Sequence, residues 1–171
     1  MKRRIERVMG IRTMEPGSGI KGYAEVCEHT VHKINDVIKT EIFIDLTGLN
    51  SGGTADDIIG KADTANCWIA RILAGKNGTI FAGRITCLET PATGDDDINV
   101  YAADEATGVE DAAISALTET QLIDGGDFTA AKFGGFTALP TDGQYLYLTG
   151  GAGDSNATYT AGKILIELWG K

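Results

Sequence analysis

The sequence predicts an all-β fold, and three observations carry the prediction. Glycine is abundant at 23 residues against 3 proline and 3 methionine, beside many Thr, Ile and Tyr, which suits short strands joined by tight turns. Several stretches alternate apolar and polar residues with the period of a strand rather than a helix. Turn-forming Gly, Asn, Asp and Ser punctuate those stretches at regular intervals. Together they give about eight or nine strands, a number that suits a jelly-roll-like antiparallel β-sandwich. A chain of 171 residues with 43% hydrophobic side chains has enough apolar surface for one core.

The elements follow in order. Residues 1–20 form a basic N-terminal arm, one or two helical turns or an extended segment, that breaks at Pro16-Gly17-Ser18-Gly19. The β domain is assigned to 21–171. Its clearest early strand runs from Thr40 to Leu46, with Ile42, Ile44 and Leu46 on one face, and a turn-rich loop follows at Asn50-Ser51-Gly52-Gly53. The stretches Cys67–Leu73 and Gly78–Leu88 flank Asn77-Gly78 and read as a hairpin. In the second of these, Phe81, Gly83, Ile85 and Cys87 share a face opposite Ile80, Ala82, Arg84, Thr86 and Leu88.

Pro91–Asp97 is an acidic turn, Ile98–Ala103 a strand, and Val109–Thr120 a short helix or irregular loop, the one stretch with helical spacing. Strands then read at Gln121–Ile123, Phe128–Leu139, Gln144–Thr149 and Thr158–Trp169, with a Gly-rich loop at 150–156. In the last strand Ile164, Ile166 and Leu168 oppose Lys163, Leu165, Glu167 and Trp169. No internal repeat points to a propeller or solenoid.

Charge divides the chain. The net charge is −9, yet in the first twelve residues Lys2, Arg3, Arg4, Arg7 and Arg12 face only Glu6. Five cations against one acid give +4, leaving −13 for the remainder. Phosphate is repelled by an acidic body, so no nucleic-acid partner is expected. No run of about 18 apolar residues is present to span a bilayer, and the N-terminus lacks the apolar core of a signal peptide, which predicts synthesis in the cytosol and no membrane partner. Cys27, Cys67 and Cys87 are odd in number and widely spaced, so all three are expected to be reduced, with Cys67 and Cys87 in the core.

Candidate chemistry is sparse. Cys27, His29 and His32 spell Cys-x-His-x-x-His, but on a strand His32 opposes the other two and no second ligand cluster follows, so ordinary strand residues are the expectation. Asp95-Asp96-Asp97, Asp124, Asp127 and Asp154 invite a calcium reading, but none follows an EF-hand spacing, and solvated acidic turns are expected. The loop Gly150-Gly151-Ala152-Gly153-Asp154 lacks the Gly-Lys-Ser/Thr of a phosphate cradle. No nucleophile elbow is present, and the sequons Asn77-Gly78-Thr79 and Asn156-Ala157-Thr158 read as turns. No catalytic residue, cofactor site or metal site is assigned. The arm is the exception: interleaved Ile, Val and Met suit a protein surface, where charge orients and apolar residues bury area.

Three regions carry a resemblance. Gln144-Tyr145-Leu146-Tyr147-Leu148-Thr149-Gly150-Gly151 followed by Ala157 to Gly170 is similar to the closing strands of small virion proteins of tailed bacteriophages, marine phages among them. Ile44-Asp45-Leu46-Thr47-Gly48-Leu49 with the later Ile59-Gly60, and Gly78 through Cys87-Leu88-Glu89-Thr90-Pro91, resemble the same proteins. The resemblance spans about residues 40–170 and implies a non-enzymatic capsid decoration, or cement, protein on the outer capsid surface of the virion. Its partners would be the major capsid protein and further copies of itself, as a homotrimer or dimer. The capsid-binding residues expected from the charge argument are Arg3, Arg4, Arg7 and Arg12, with Ile5, Val8 and Ile11 for buried contact. The alternatives are a phage tail, neck or receptor-binding component, and a carbohydrate-binding jelly-roll module.

Overall fold

A computed structural model describes residues 16–20, 27–151 and 155–171. Ten strands carry the fold: β1 (Cys27–Ile34), β2 (Val37–Asp45), β3 (Asp57–Ile58), β4 (Ala70–Arg71), β5 (Ile80–Ala92), β6 (Ile98–Ala103), β7 (Glu119–Ile123), β8 (Phe133–Gly135), β9 (Tyr145–Gly150) and β10 (Ala161–Gly170). A helical turn, α1 (Ala74–Asn77), and one 3-10 turn (Ile114–Ala116) complete the described elements.

The strands form two antiparallel sheets. The first has the order β1-β2-β10-β5-β8 and the second β3-β9-β6-β7, with β4 also paired to β9. From β2 onward the chain passes back and forth between the sheets, so each sheet is assembled from residues distant in sequence. Alternation explains the packing. Ile42 and Ile44 on β2, Ile85 and Cys87 on β5, and Ile164, Ile166 and Leu168 on β10 are all fully buried and meet Val100, Ala102, Leu122, Leu146 and Leu148 of the second sheet in one core. Each large side chain there contributes about 1.5–3 kcal/mol of burial. The strand expectations for Thr40–Leu46 and for the face pattern of Lys163–Trp169 hold in this register, where Ile164 pairs with Ile44 and Ile166 with Ile42.

The hairpin expected around Asn77-Gly78 is not formed. β4 pairs with β9 in one sheet while β5 pairs with β10 and β8 in the other, so the segment between them is a crossover. Asn77 is committed to that role. Its side-chain oxygen accepts the Leu73 N–H at 2.9 Å and its amide donates to Thr40 Oγ1 at 2.9 Å, while Asp142 accepts the Ala74 N–H at 2.7 Å. Gly78 leaves the turn at φ +71°, and a Cβ there would lie 2.6 Å from the Lys171 backbone nitrogen. The real first hairpin joins β1 to β2 through Asn35-Asp36, with Ile34 opposite Val37 and Asn35 at φ 55°, a conformation asparagine tolerates.

Three further expectations change. The strand expected over Phe128–Leu139 shrinks to β8, and Phe128 instead plugs the core. Val109–Thr120 takes the irregular of its two expected forms, with one 3-10 turn, and its last two residues belong to β7. Phe81, expected to share a face with Ile85 and Cys87, is instead 52% exposed, because a register shift where Trp169 and Gly170 meet β5 turns Ile80 into the core. Residues 16–20, expected as the end of the arm, are stapled to the β domain. Gly17 N–H donates to Trp68 O at 2.9 Å, Gly19 N–H to Asn66 O at 3.1 Å and Lys61 N–H to Gly19 O at 2.8 Å, and Ile20 is buried.

Candidate binding face

The outward faces of the two sheets are built differently. On the first sheet, antiparallel register places residues in rows that share the outward face. One row is Phe43, Leu165, Thr86 and Phe133, across β2, β10, β5 and β8. The next is Glu41, Glu167 and Arg84, and the third Lys39, Trp169 and Ala82. Glu167 sits at the centre with its side chain only 3% exposed, held by Lys39 Nζ at 2.6 Å and by the Arg84 guanidinium. Lys39 and Arg84 also lie over the Trp169 ring at 5.8 and 5.6 Å from its centre. Burial alone would raise the Glu167 carboxyl, but its bonds to Arg84 and Lys39 outweigh that and hold it below the usual carboxylate range. Those same bonds to Glu167 and Glu41 raise Lys39. His32 Nε2 lies 3.2 Å from a Glu41 carboxylate oxygen, and Lys163 bonds Glu89 at the flank.

Over β6 and the second half of β9 the outward side of the second sheet is covered by its own chain, while Arg71 and Gln121 at its flanks stay exposed. Tyr101, Tyr147, Asn99 and Thr149 project there and all are buried. Asp56 Oδ1 accepts Tyr101 OH at 2.9 Å, Asn99 Nδ2 at 3.0 Å and Thr149 Oγ1 at 3.4 Å. Tyr147 OH donates to Glu105 O at 2.8 Å and accepts the Gly108 N–H at 3.2 Å. Cross-links between the covering loops, Ile58 N–H to Ala112 O at 2.9 Å and Ile114 N–H to Asp56 O at 3.0 Å, close the lid. Burial pushes the Tyr147 phenol up to about 12. Tyr101 is raised by burial and then by its bond to Asp56.

The expected site residues fall as follows. Arg3, Arg4, Ile5, Arg7, Val8, Ile11 and Arg12 lie outside the described residues. So does Asp154, while Cys27 and His29 are described only as positions on β1. His32 is on the outward side of β1 beside Glu41. Among the described residues no three His, Cys, Asp or Glu side chains converge as a metal-binding group. Asp95 and Asp97 are nonetheless more than solvated turn residues. Asp95 is buried, with its backbone N–H donating to Ser51 Oγ at 3.1 Å and its carbonyl accepting Tyr159 OH at 2.7 Å. Asp97 Oδ1 is buried without a hydrogen-bond partner and is pressed against Gly151, where a Cβ would come within 2.1 Å of it. Burial first, then Asp124, Asp95 and Asp127, raise the Asp97 carboxyl. Asp57 and Glu110 are raised in the same way, by burial and neighbouring acids.

Cys67 and Cys87 are free, buried thiols, and burial raises both. Asn77 of the first sequon is fully buried, whereas Asn156 of the second is exposed. Trp68 packs edge-on to Tyr145 at 5.2 Å between centroids, as core packing predicts. The Lys39–Glu167–Arg84 triad around Trp169 was not singled out from sequence. Its signal was present in the outward set Lys163, Leu165, Glu167 and Trp169, which mixes charge with large apolar area on one strand face. No family model, no curated protein and no solved structure matches this chain.

Proposed function

We propose that this chain is a non-enzymatic capsid decoration protein of a tailed phage, binding the major-capsid lattice through its basic N-terminal arm and an oligomeric β domain. One observation carries the reading: a segment of +4 is rooted on a body of −13. The root is Pro16–Ile20, held to the β domain by backbone bonds to Trp68, Asn66 and Lys61. A capsid contact made by residues 1–15 would therefore be transmitted to a rigid sandwich. A second support is the strand order. Eight of the strands divide into β2-β10-β5-β8 and β3-β9-β6-β7 with repeated crossing between sheets, the arrangement expected of a jelly roll. Reinforcement would act by mass action, since a ligand that binds only the assembled lattice lowers its free energy at each occupied site.

The test mixes the purified chain with phage shells lacking it, measuring co-sedimentation and the temperature of shell rupture. Saturable binding that raises the rupture temperature, lost on reversing Arg3, Arg4, Arg7 and Arg12 to Glu, is the expected result. Absence of binding would contradict the proposal and move the tail-component and glycan-binding readings ahead of it.

A further inference from the structure

We infer that the outward face of the first sheet is a self-association surface, on which a second copy of this chain packs face to face about a two-fold axis lying along β10. Three features lead there. The first is where exposed apolar side chains fall among the described residues. Of seven large ones, five belong to strands of this sheet: Ile34, Val37, Phe81, Leu88 and Phe133, the last 70% exposed. The second is that, among the described residues, the centre of the opposite sheet is already covered by loops of the same chain, which leaves the first sheet's face as the broader one open to a partner. The third is charge. In a chain of −9, most of the surface repels a second copy, but the three central rows balance Lys39 and Arg84 against Glu41 and Glu167.

The strand order then supplies complementarity. β10 is the middle strand, flanked by β2 and β5. An isologous axis along β10 lays β2 of one copy over β5 of the other, which brings Glu41 towards Arg84 of the second copy, twice per dimer. The same operation lays Phe43 over Thr86 and carries the exposed Phe133 towards the N-terminal end of β1, the position paired with Phe43. At the centre, Glu167 is already neutralised within its own copy, so no unpaired carboxylate is trapped when the faces close. Trp169 and Arg84 are the residue types that most often anchor such contacts. The assembly is a two-fold pair rather than a trimer, and it does not depend on the capsid reading.

The experiment is sedimentation velocity on the full chain at about 1 µM and about 100 µM. Phe133→Lys with Leu88→Lys, and separately Glu41→Lys, are compared with the unaltered chain, with far-UV circular dichroism confirming that each is folded. The expected result is a dimer at the higher concentration, a dissociation constant raised at least tenfold by the double variant, and a smaller rise with E41K that fades as salt is added. A monomer at both concentrations would overturn the inference and assign the face to another occupant, the chain's own basic segment or a capsid subunit. An oligomer unaffected by either variant would also overturn it, by placing the contact elsewhere. No shells are present, so neither outcome bears on whether the chain binds capsids.

Discussion

The two sheets of this sandwich share one core yet treat their outward sides in opposite ways. On the second sheet, Tyr101, Tyr147, Asn99 and Thr149 are sealed beneath loops fastened to them by Asp56, Glu105 and Gly108. On the first sheet, Phe133 and Leu88 remain exposed, and the Glu167 carboxylate is covered mainly by the side chains that neutralise it. The difference shows where this chain has completed its own fold and where it leaves area for another surface. A buried outward face anchored by a shared acceptor belongs to stability. An open face with a neutralised centre and apolar flanks belongs to binding.

The comparison breaks or sharpens under mutation. The largest effect is expected from Asp56→Ala, which strips the common acceptor from Tyr101, Asn99 and Thr149. Stranding two or three buried donors costs about 2–4 kcal/mol, seen as a melting temperature lower by roughly 5–15 °C. A change below about 1 kcal/mol would mean that the lid is not a stability element. Glu167→Gln should cost less, about 1–2 kcal/mol, because Lys39 and Arg84 are partly exposed and regain water when their partner loses its charge.

Acidity separates the two ends of this scale. Asp57, Asp97 and Glu110 have folded values raised above the unfolded ones, so their favourable contribution is fully present below the unfolded carboxylate range and lost as pH rises through the folded values. Glu167 is depressed, so its contribution is present above about pH 4.3 and lost as pH falls through its folded value. Thermal melts should therefore rise from neutral pH into mild acid, then fall in stronger acid. Asp97→Asn should flatten the rise, and a monotonic fall from pH 7 downward would refute that assignment. The smallest effect belongs to Phe133→Ser and Leu88→Ser, whose folding stability in dilute solution should stay within about 0.5 kcal/mol.

The sequence was legible where a rule is local. Period-two alternation puts Ile42 with Ile44, and Ile164, Ile166 and Leu168 opposite Lys163, Leu165, Glu167 and Trp169, because a strand buried on one side must alternate. It failed where a residue's partner is far along the chain. Asn77-Gly78 has the composition of a hairpin turn, yet Asn77 reaches Thr40 and the strands beside it enter different sheets. Asp56 finds its three donors 43, 45 and 93 residues away, and nothing local distinguishes it from other acidic turn residues. Arg84 and Glu167 are 83 residues apart, and only the placing of β10 between β2 and β5 brings the triad together at the centre of the open face.

Hydroxyl-radical footprinting of the full chain, read residue by residue in dilute and in concentrated solution, tests the contrast between the faces most directly. The account predicts that Phe133, Leu88 and Trp169 react in dilute solution and become protected on concentration, while Tyr101 and Tyr147 stay unreactive throughout. Ready labelling of Tyr101 and Tyr147 in the dilute protein, or unchanged labelling of Phe133 and Leu88 at every concentration, would contradict it.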